Sequence, residues 1–299
     1  MKNKVLALVL AITTAVAALS FTACQEKKSE YPVTAGSVTV KSEPKKIVVL
    51  NKNYADIISC IGFDAKIAGR SDSVNQKGMD VVPSVGLAAA PSFDKIKSLK
   101  ADVVFADDSL NTTVKDNLEK SGITVIIPEQ SNTPKQVKNI YIQFGSILGG
   151  KLTGKAKAKE AFDDLYDELK DLKDTVEDKD VVTTICYIYS DNGVLKTMTN
   201  STWGGRLLSY TGAVNVFKDA KSDVIDAKKL MLSNPDYIFC EDKEVAKTLK
   251  TSDTLSGLKA MNDSTRRFVV SYDDITMQGK TSIETVKKMI SKIYPGENS

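Results

Sequence analysis

The 299-residue sequence contains no histidine. That absence removes the commonest metal ligand, the base of the usual serine and cysteine triads, and the ordinary proton shuttle near neutral pH. Arginine is scarce, with Arg70, Arg206, Arg266 and Arg267 against an abundance of lysine, and Trp203 is the sole tryptophan. The four cysteines are widely separated. Cys60, Cys186 and Cys240 lie in apolar surroundings, an odd set that argues against a disulfide framework and reads as small core residues. Nothing in their spacing suits an iron–sulfur cluster. Neither a Gly-x-Ser-x-Gly elbow nor a phosphate-binding Walker loop is present. The formal net charge is +3, with no basic stripe of the kind that nucleic acid requires. These gaps remove the usual catalytic apparatus and weigh against an enzyme.

What is present begins with a secretory pattern over residues 1–23. Lys2 and Lys4 precede the apolar stretch Val5 to Leu19 and the small-residue end Ser20-Phe21-Thr22-Ala23. Cys24 follows at once. This junction resembles the lipobox of bacterial lipoproteins, with Phe21 where leucine is usual, and the resemblance implies that Cys24 is the lipid anchor. The apolar run is short for a bilayer span of about 20 residues. An extracytoplasmic chain held at the cell membrane by acyl groups, each worth ~0.8 kcal/mol per buried CH₂, is the expectation. A tether over 24–37 follows, and the folded part begins near Tyr31 or Val38.

Short, continuous apolar runs then alternate with helix-like stretches: Lys46 to Leu50, Tyr54 to Ile61, Asp102 to Ala106, Val114 to Lys120 and Thr124 to Ile127. Continuous rather than alternating apolar strands imply a parallel sheet covered on both faces by crossover helices. The pattern restarts at Val181 to Tyr189 and returns at Asp236 to Cys240 and Arg267 to Tyr272. Ser98 to Asp108 and Leu232 to Asp242 align at an offset of 134 residues, each with a helix end, a turn, an aspartate, an apolar strand and an acidic pair. Two lobes of one kind follow, 38–150 and 180–299. Between them, in the segment 151–179, Lys155 to Asp178 has no Gly or Pro. Its apolar residues Phe162, Leu165, Tyr166, Leu169, Leu172 and Val176 recur at helical steps. About 24 residues of helix run roughly 36 Å, enough to join the lobes. The fold class is α/β, two lobes with mainly parallel sheets joined by one long inter-lobe α-helix.

Six segments in order strengthen this: Glu43 to Leu50, Ile61 to Gly69, Val82 to Gly86, Phe93 to Ile96 with Leu99 to Val104, Trp203 to Leu208 with Gly212 to Val216, and Asn234 to Ile238. Over roughly Lys45 to Tyr294 the chain resembles the periplasmic-binding-protein family for iron-siderophore complexes and cobalamin, the solute receptors of type II ABC importers. The resemblance implies a ligand held between the lobes and delivered to a permease dimer with its ATPase, the receptor itself being a monomer. It also implies a docking carboxylate on each lobe, seven residues before the Pro-Asp of the next strand. In the first lobe that position is Asp94, with Ala101 in place of the proline. In the second it is Lys228, a departure that shifts the candidate to Asp226.

In an open α/β sheet, ligands bind beyond the carboxyl ends of the strands, where helix N-termini and free backbone donors converge. Arg70 and Arg206 fall beside such loops, one per lobe, and their planar forks suit the oxygens of an anionic chelate; each also suits an ordinary ion pair. Trp203, before a Gly-Gly step, offers a plane for stacking or a side chain for the core, and Tyr54 and Tyr189 are similar candidates. Asp107-Asp108 and Asp273-Asp274 read as solvated loop acids more than as a cation site. The ligand expected is a small metal chelate, a ferric siderophore first and a corrinoid or haem next. No protein-held metal and no cofactor are expected. A sensor, or a metal-dependent enzyme on the same fold, is the alternative.

Overall fold

The computed structural model describes residues 29–177 and 182–296. The secretory stretch, Cys24, the tether as far as Lys28 and Asp178 lie outside these. The chain divides into residues 1–30 and a compact unit from Tyr31 to Ser299. Within that unit β1 (Val33–Ala35) pairs antiparallel with β2 (Val38–Val40). β1 thus lies inside the 24–37 stretch assigned to the tether. Val33, Ala35 and Val40 are buried, and the Tyr31 hydroxyl donates to Ile147 O at 2.9 Å, so the hairpin is part of the core.

The first lobe carries β3 (Ile47–Val49), α1 (Lys52–Ile61), β4 (Ile67–Arg70), α2 (Phe93–Ser98), β5 (Val103–Phe105), α3 (Thr112–Lys120) and β6 (Thr124–Ile126). Its sheet has the order β4-β3-β5-β6 with every pair parallel. Alternate residues face opposite sides. Ile47, Val49, Val103, Phe105 and Ile126 join one apolar core, while Val48, Val104 and Val125 join another beneath α2 and α3. Covering both faces is why these strands read as unbroken apolar runs.

Two helices leave this sheet: α4 (Pro134–Gly149), opened by a capping box between Thr133 and Gln136, and α5 (Lys155–Glu177). A wide turn at Gly150–Gly154 folds them into an antiparallel pair. Tyr141 meets Phe162 at 5.4 Å between ring centroids, and Lys138 pairs with Asp163 at 2.5 Å. A side chain on Gly154 would strike the carbonyl of Gly145, so the turn closes only with glycine there.

The second lobe follows with β7 (Thr184–Asp191), β8 (Val194–Thr197), α6 (Trp203–Leu207), β9 (Val214–Asn215), α7 (Ala227–Ser233), β10 (Tyr237–Cys240), α8 (Lys243–Lys250), α9 (Lys259–Asn262), β11 (Arg267–Val269), α10 (Tyr272–Thr276) and α11 (Lys280–Ile293). Its sheet runs β11-β10-β7-β8, with β9 beside β7 and only β8 antiparallel. Cys186 and Cys240 are fully buried small residues of its core, and Cys60 is half-buried.

The repeat at 134 residues is three-dimensional. Ser92 and Asp226 are the N-caps of α2 and α7, and Lys100 and Asn234 both take left-handed backbone angles, φ +57° and +39°. Asp102 accepts from the Lys45 and Lys46 amides at 2.6 and 2.9 Å, tying β5 to the start of β3. Asp236 does the same for β10 and β7, accepting from Thr184 N at 3.0 Å and Thr184 Oγ1 at 2.8 Å. Burial pushes the Asp236 carboxyl up, but bonds from Thr184 and Lys259 outweigh it and leave it below its ordinary value.

α5 crosses from one lobe to the other, but not as a free strut. Near its start Lys157 donates to Gly62 O at 2.9 Å in the first lobe. Farther along, Glu168 pairs with Lys287 at 2.7 Å, Tyr166 meets Tyr210 at 6.1 Å, and Val176 packs on Gly212. One apolar core runs continuously from Val33 in the hairpin to Ile293 in α11. An apolar interface of this kind restrains the lobes to small relative motions.

Candidate functional site

Three parallel strands of the first lobe deliver their carboxyl ends to one edge. After β3, Asn51 caps α1, its Oδ1 accepting from Asn53 N at 2.9 Å and Tyr54 N at 3.3 Å. Its Nδ2 donates to Asp107 Oδ2 at 2.7 Å, so the loop after β3 is fixed to the loop after β5. The loop after β6 is Ile127 to Asn132. From the second lobe, α10 brings Tyr272 and Thr276 over the same edge, Tyr272 being 42 % exposed. A cavity of about 640 Å³ lies between them, with Asn51, Tyr54, Asp107, Asp108 and Glu129 on one wall and Tyr272 and Thr276 on the other. Ile127, Pro128 and Ile140 give it an apolar side. Cavities of about 650 Å³ beneath the β1–β2 hairpin and about 430 Å³ beside β2 exist, but neither draws on the second lobe.

The seam behind this cavity is polar and fully paired. Gln278 is 4 % exposed. Its amide N donates to Asn53 Oδ1 at 2.7 Å, its Nε2 to Ser131 O at 2.6 Å, and its Oε1 accepts from Asn53 Nδ2 at 3.0 Å and Ser131 Oγ at 2.9 Å. The Tyr141 hydroxyl donates to its carbonyl at 2.7 Å. A buried amide satisfied this completely fixes the register of the lobes. Sequence reasoning did not single it out, because its partners are distant in the chain.

The cavity is electrostatically acidic. Burial pushes the Asp107 carboxyl up, but donors from Ser109 Oγ, Asn51 Nδ2 and Ser109 N outweigh it, leaving it below its ordinary value. The Tyr54 phenol is raised well above its usual range, by burial first and then by the charges of Asp107 and Asp108. Tyr272 is raised too, by burial and by Asp191 and Glu241. Among the described residues, no three His, Cys, Asp or Glu side chains converge to hold a metal ion.

Of the predicted ligand residues, only Tyr54 lines this cavity. Tyr189 stands behind Tyr272, 5.0 Å between ring centroids, with its hydroxyl 3.4 Å from Asp223 Oδ2. Arg70 turns away, donating from Nε to Met79 O at 2.7 Å and from Nη1 to Ser71 O at 3.1 Å. Arg206 reaches across the seam, where Nε donates to Asn132 O at 3.0 Å. Trp203 is 2 % exposed, and its indole donates to Met277 O at 2.7 Å, so it serves the core and offers no stacking plane. The Gly-Gly step after it admits the protein's own backbone and not a ligand: the space a side chain on Gly205 would need is filled by the Thr199 carbonyl. The loop from Ile127 to Asn132 was missed, although Pro128 after an apolar strand and the Thr-Pro-x-x capping pattern beyond it mark the crossing from β6 to α4.

Asp94 is exposed in the first turn of α2. Asp226 is also exposed, but its carboxylate caps α7 through Lys229 N at 2.7 Å. Among the described residues no helix is long and apolar enough to cross a membrane.

The sequence profile described as periplasmic binding protein matches residues 47–268. An uncharacterized ABC transporter substrate-binding lipoprotein of Bacillus subtilis, YvrC, is 26 % identical over 283 residues, covering 91 % of this chain and 88 % of its own. The Fe(3+)-citrate-binding protein YfmC of the same organism is 25 % identical over 276 residues, covering 87 % and 84 %. Among solved structures, a periplasmic heme binding protein from Pseudomonas aeruginosa superposes with a TM-score of 0.69 at 17 % identity, covering 85 % of this chain and 94 % of its own.

Proposed function

The chain belongs to the periplasmic binding protein family, whose members bind substrates and are not enzymes, and from that premise we propose that it is the extracytoplasmic receptor of an ABC importer for a small metal chelate. It takes the chelate into the inter-lobe cleft and presents it to a permease dimer with its ATPase. The observation that carries this reading is the cavity of about 640 Å³ built from strand ends of the first lobe and closed by Tyr272 and Thr276 of the second. Its size and mixed lining suit a ligand of several hundred daltons. A ferric chelate is the first class of ligand, in keeping with the name of YfmC, and haem or a corrinoid the next.

Cys24 anchors the receptor, which acts as a monomer, and Asp94 with Asp226 forms the pair of docking groups, one exposed on each lobe. Tyr54 and Tyr272 are the aromatic contacts. Isothermal titration of the mature chain, with Cys24 replaced, against ferric chelates, haem and a corrinoid tests the reading. One ligand per chain with saturable heat is the expected result. No saturable heat with any of the three classes contradicts it.

A further inference from the structure

The charge of the cleft narrows the ligand class, an inference that rests on the receptor reading. The cavity lining contains the carboxylates of Asp107, Asp108 and Glu129 and no lysine or arginine. Neither arginine near the cleft lines the cavity: Arg70 donates to Met79 O and Ser71 O, and Arg206 donates from Nε to Asn132 O, so their charges stand behind the lining and not in it. Lys52, at the start of α1, is held by Asp273 at 3.3 Å. Across the cavity, Asp191, Asp223 and Glu241 act on the Tyr272 phenol, while Lys196 is drawn between Asp191 at 2.9 Å and Asp223 at 3.4 Å. The chain as a whole carries a formal charge of +3, so the acidic sign belongs to this edge and not to the protein at large.

Two further features fix what kind of positive charge this edge suits. The carboxylates do not converge, since no three acidic side chains among the described residues come together to hold an ion. A charge spread over an organic complex fits them better than a bare cation does. The exposed face of Tyr272 carries no lysine or arginine above it among the described residues, and an aromatic face attracts ammonium and guanidinium groups. We propose that the cleft selects a metal chelate of net positive charge, one that keeps a free basic group, and rejects polyanionic chelates. Asp108 and Glu129 are exposed and have no ion-pair partner among the described residues, which leaves them to face the ligand. A unit charge about 4 Å from each shifts affinity about fivefold at the dielectric of water, and more where water is excluded.

A charge series tests this. The mature chain is titrated calorimetrically with ferrioxamine B, which keeps a free ammonium group, with uncharged ferrichrome, and with trianionic ferric enterobactin, at low and high salt. Ferrioxamine B is expected to bind most tightly and to weaken with salt. Asp108→Asn and Glu129→Gln should each weaken ferrioxamine B about fivefold more than they weaken ferrichrome. Tighter binding of ferric enterobactin, or ferrioxamine binding indifferent to salt and to both substitutions, overturns the charge assignment and leaves the receptor reading standing. No binding of any of the three, nor of haem or a corrinoid, removes the receptor reading and this proposal with it.

Discussion

Asp56 on α1 and Gly279 at the start of α11 meet at 2.9 Å, the Gly279 amide donating to the Asp56 carboxylate. The Thr281 hydroxyl donates to the other oxygen at 3.1 Å. A carboxylate of the first lobe therefore caps the helix that leaves the second, the favourable place for negative charge. Burial is the larger effect, however, and pushes the Asp56 carboxyl up to about 6 against the bonds from Thr281 and Gly279.

The sign of the pH dependence follows. An unfolded aspartate titrates near 4, so the folded protein holds this proton more tightly. The stability it contributes is complete below that value and is lost as pH rises through about 6, a decline on the order of 3 kcal/mol by pH 7. Urea unfolding across this range should show the decline in the native chain and a flatter profile in Asp56→Asn. Equal slopes in the two proteins contradict the assignment.

Gly279→Ala tests the same contact sterically. A Cβ there would lie 2.6 Å from Asp56 Cγ, and neither backbone can retreat without parting the cap. A loss of about 1–3 kcal/mol is expected on thermal unfolding, as for other overpacked sites. An unchanged midpoint would show that the seam yields more easily than its hydrogen bonding suggests.

The sheets were legible because strands covered on both faces are apolar at every position, as Ile47-Val48-Val49 and Val103-Val104-Phe105 are. The repeat was legible because the same turn chemistry, an N-cap, a left-handed residue and an aspartate, is needed wherever a short helix feeds a parallel strand. α5 could be read from its period, but its partner could not. That α4 folds back on it depends on Gly145 meeting Gly154, a contact invisible in local pattern. The site was only partly legible for a related reason. Which loops border the cavity follows from strand direction, and Tyr54, which lines it, could be picked out that way. Whether Arg206 or Trp203 faces the cleft depends on carbonyls 74 residues away, and each found one, while Arg70 folds onto its own loop at Met79 and Ser71.

Trp203→Phe should cost stability and leave ligand affinity within about twofold. The substitution leaves the Met277 carbonyl without its indole donor and opens space in the core, together worth about 1–3 kcal/mol. Urea unfolding and a ligand titration of the same variant check both halves. A large loss of affinity without loss of stability would return Trp203 to the binding surface.

Asp94→Ala separates capture from delivery. The residue is exposed and lies outside the cavity lining, so ligand affinity should not change, whereas uptake in cells carrying the permease should fall at least about tenfold if a charge pair of about 1.4 kcal/mol or more is lost. Unchanged uptake would remove Asp94 from the docking surface.

Hydrogen exchange with and without a bound chelate addresses the cleft itself. Protection is predicted at residues 51–54, 107–109, 127–132 and 272–278, on both walls at once, with the β1–β2 hairpin unaffected. Protection confined to one lobe, or centred on the cavity beneath the hairpin, would contradict the placement of the ligand between the lobes.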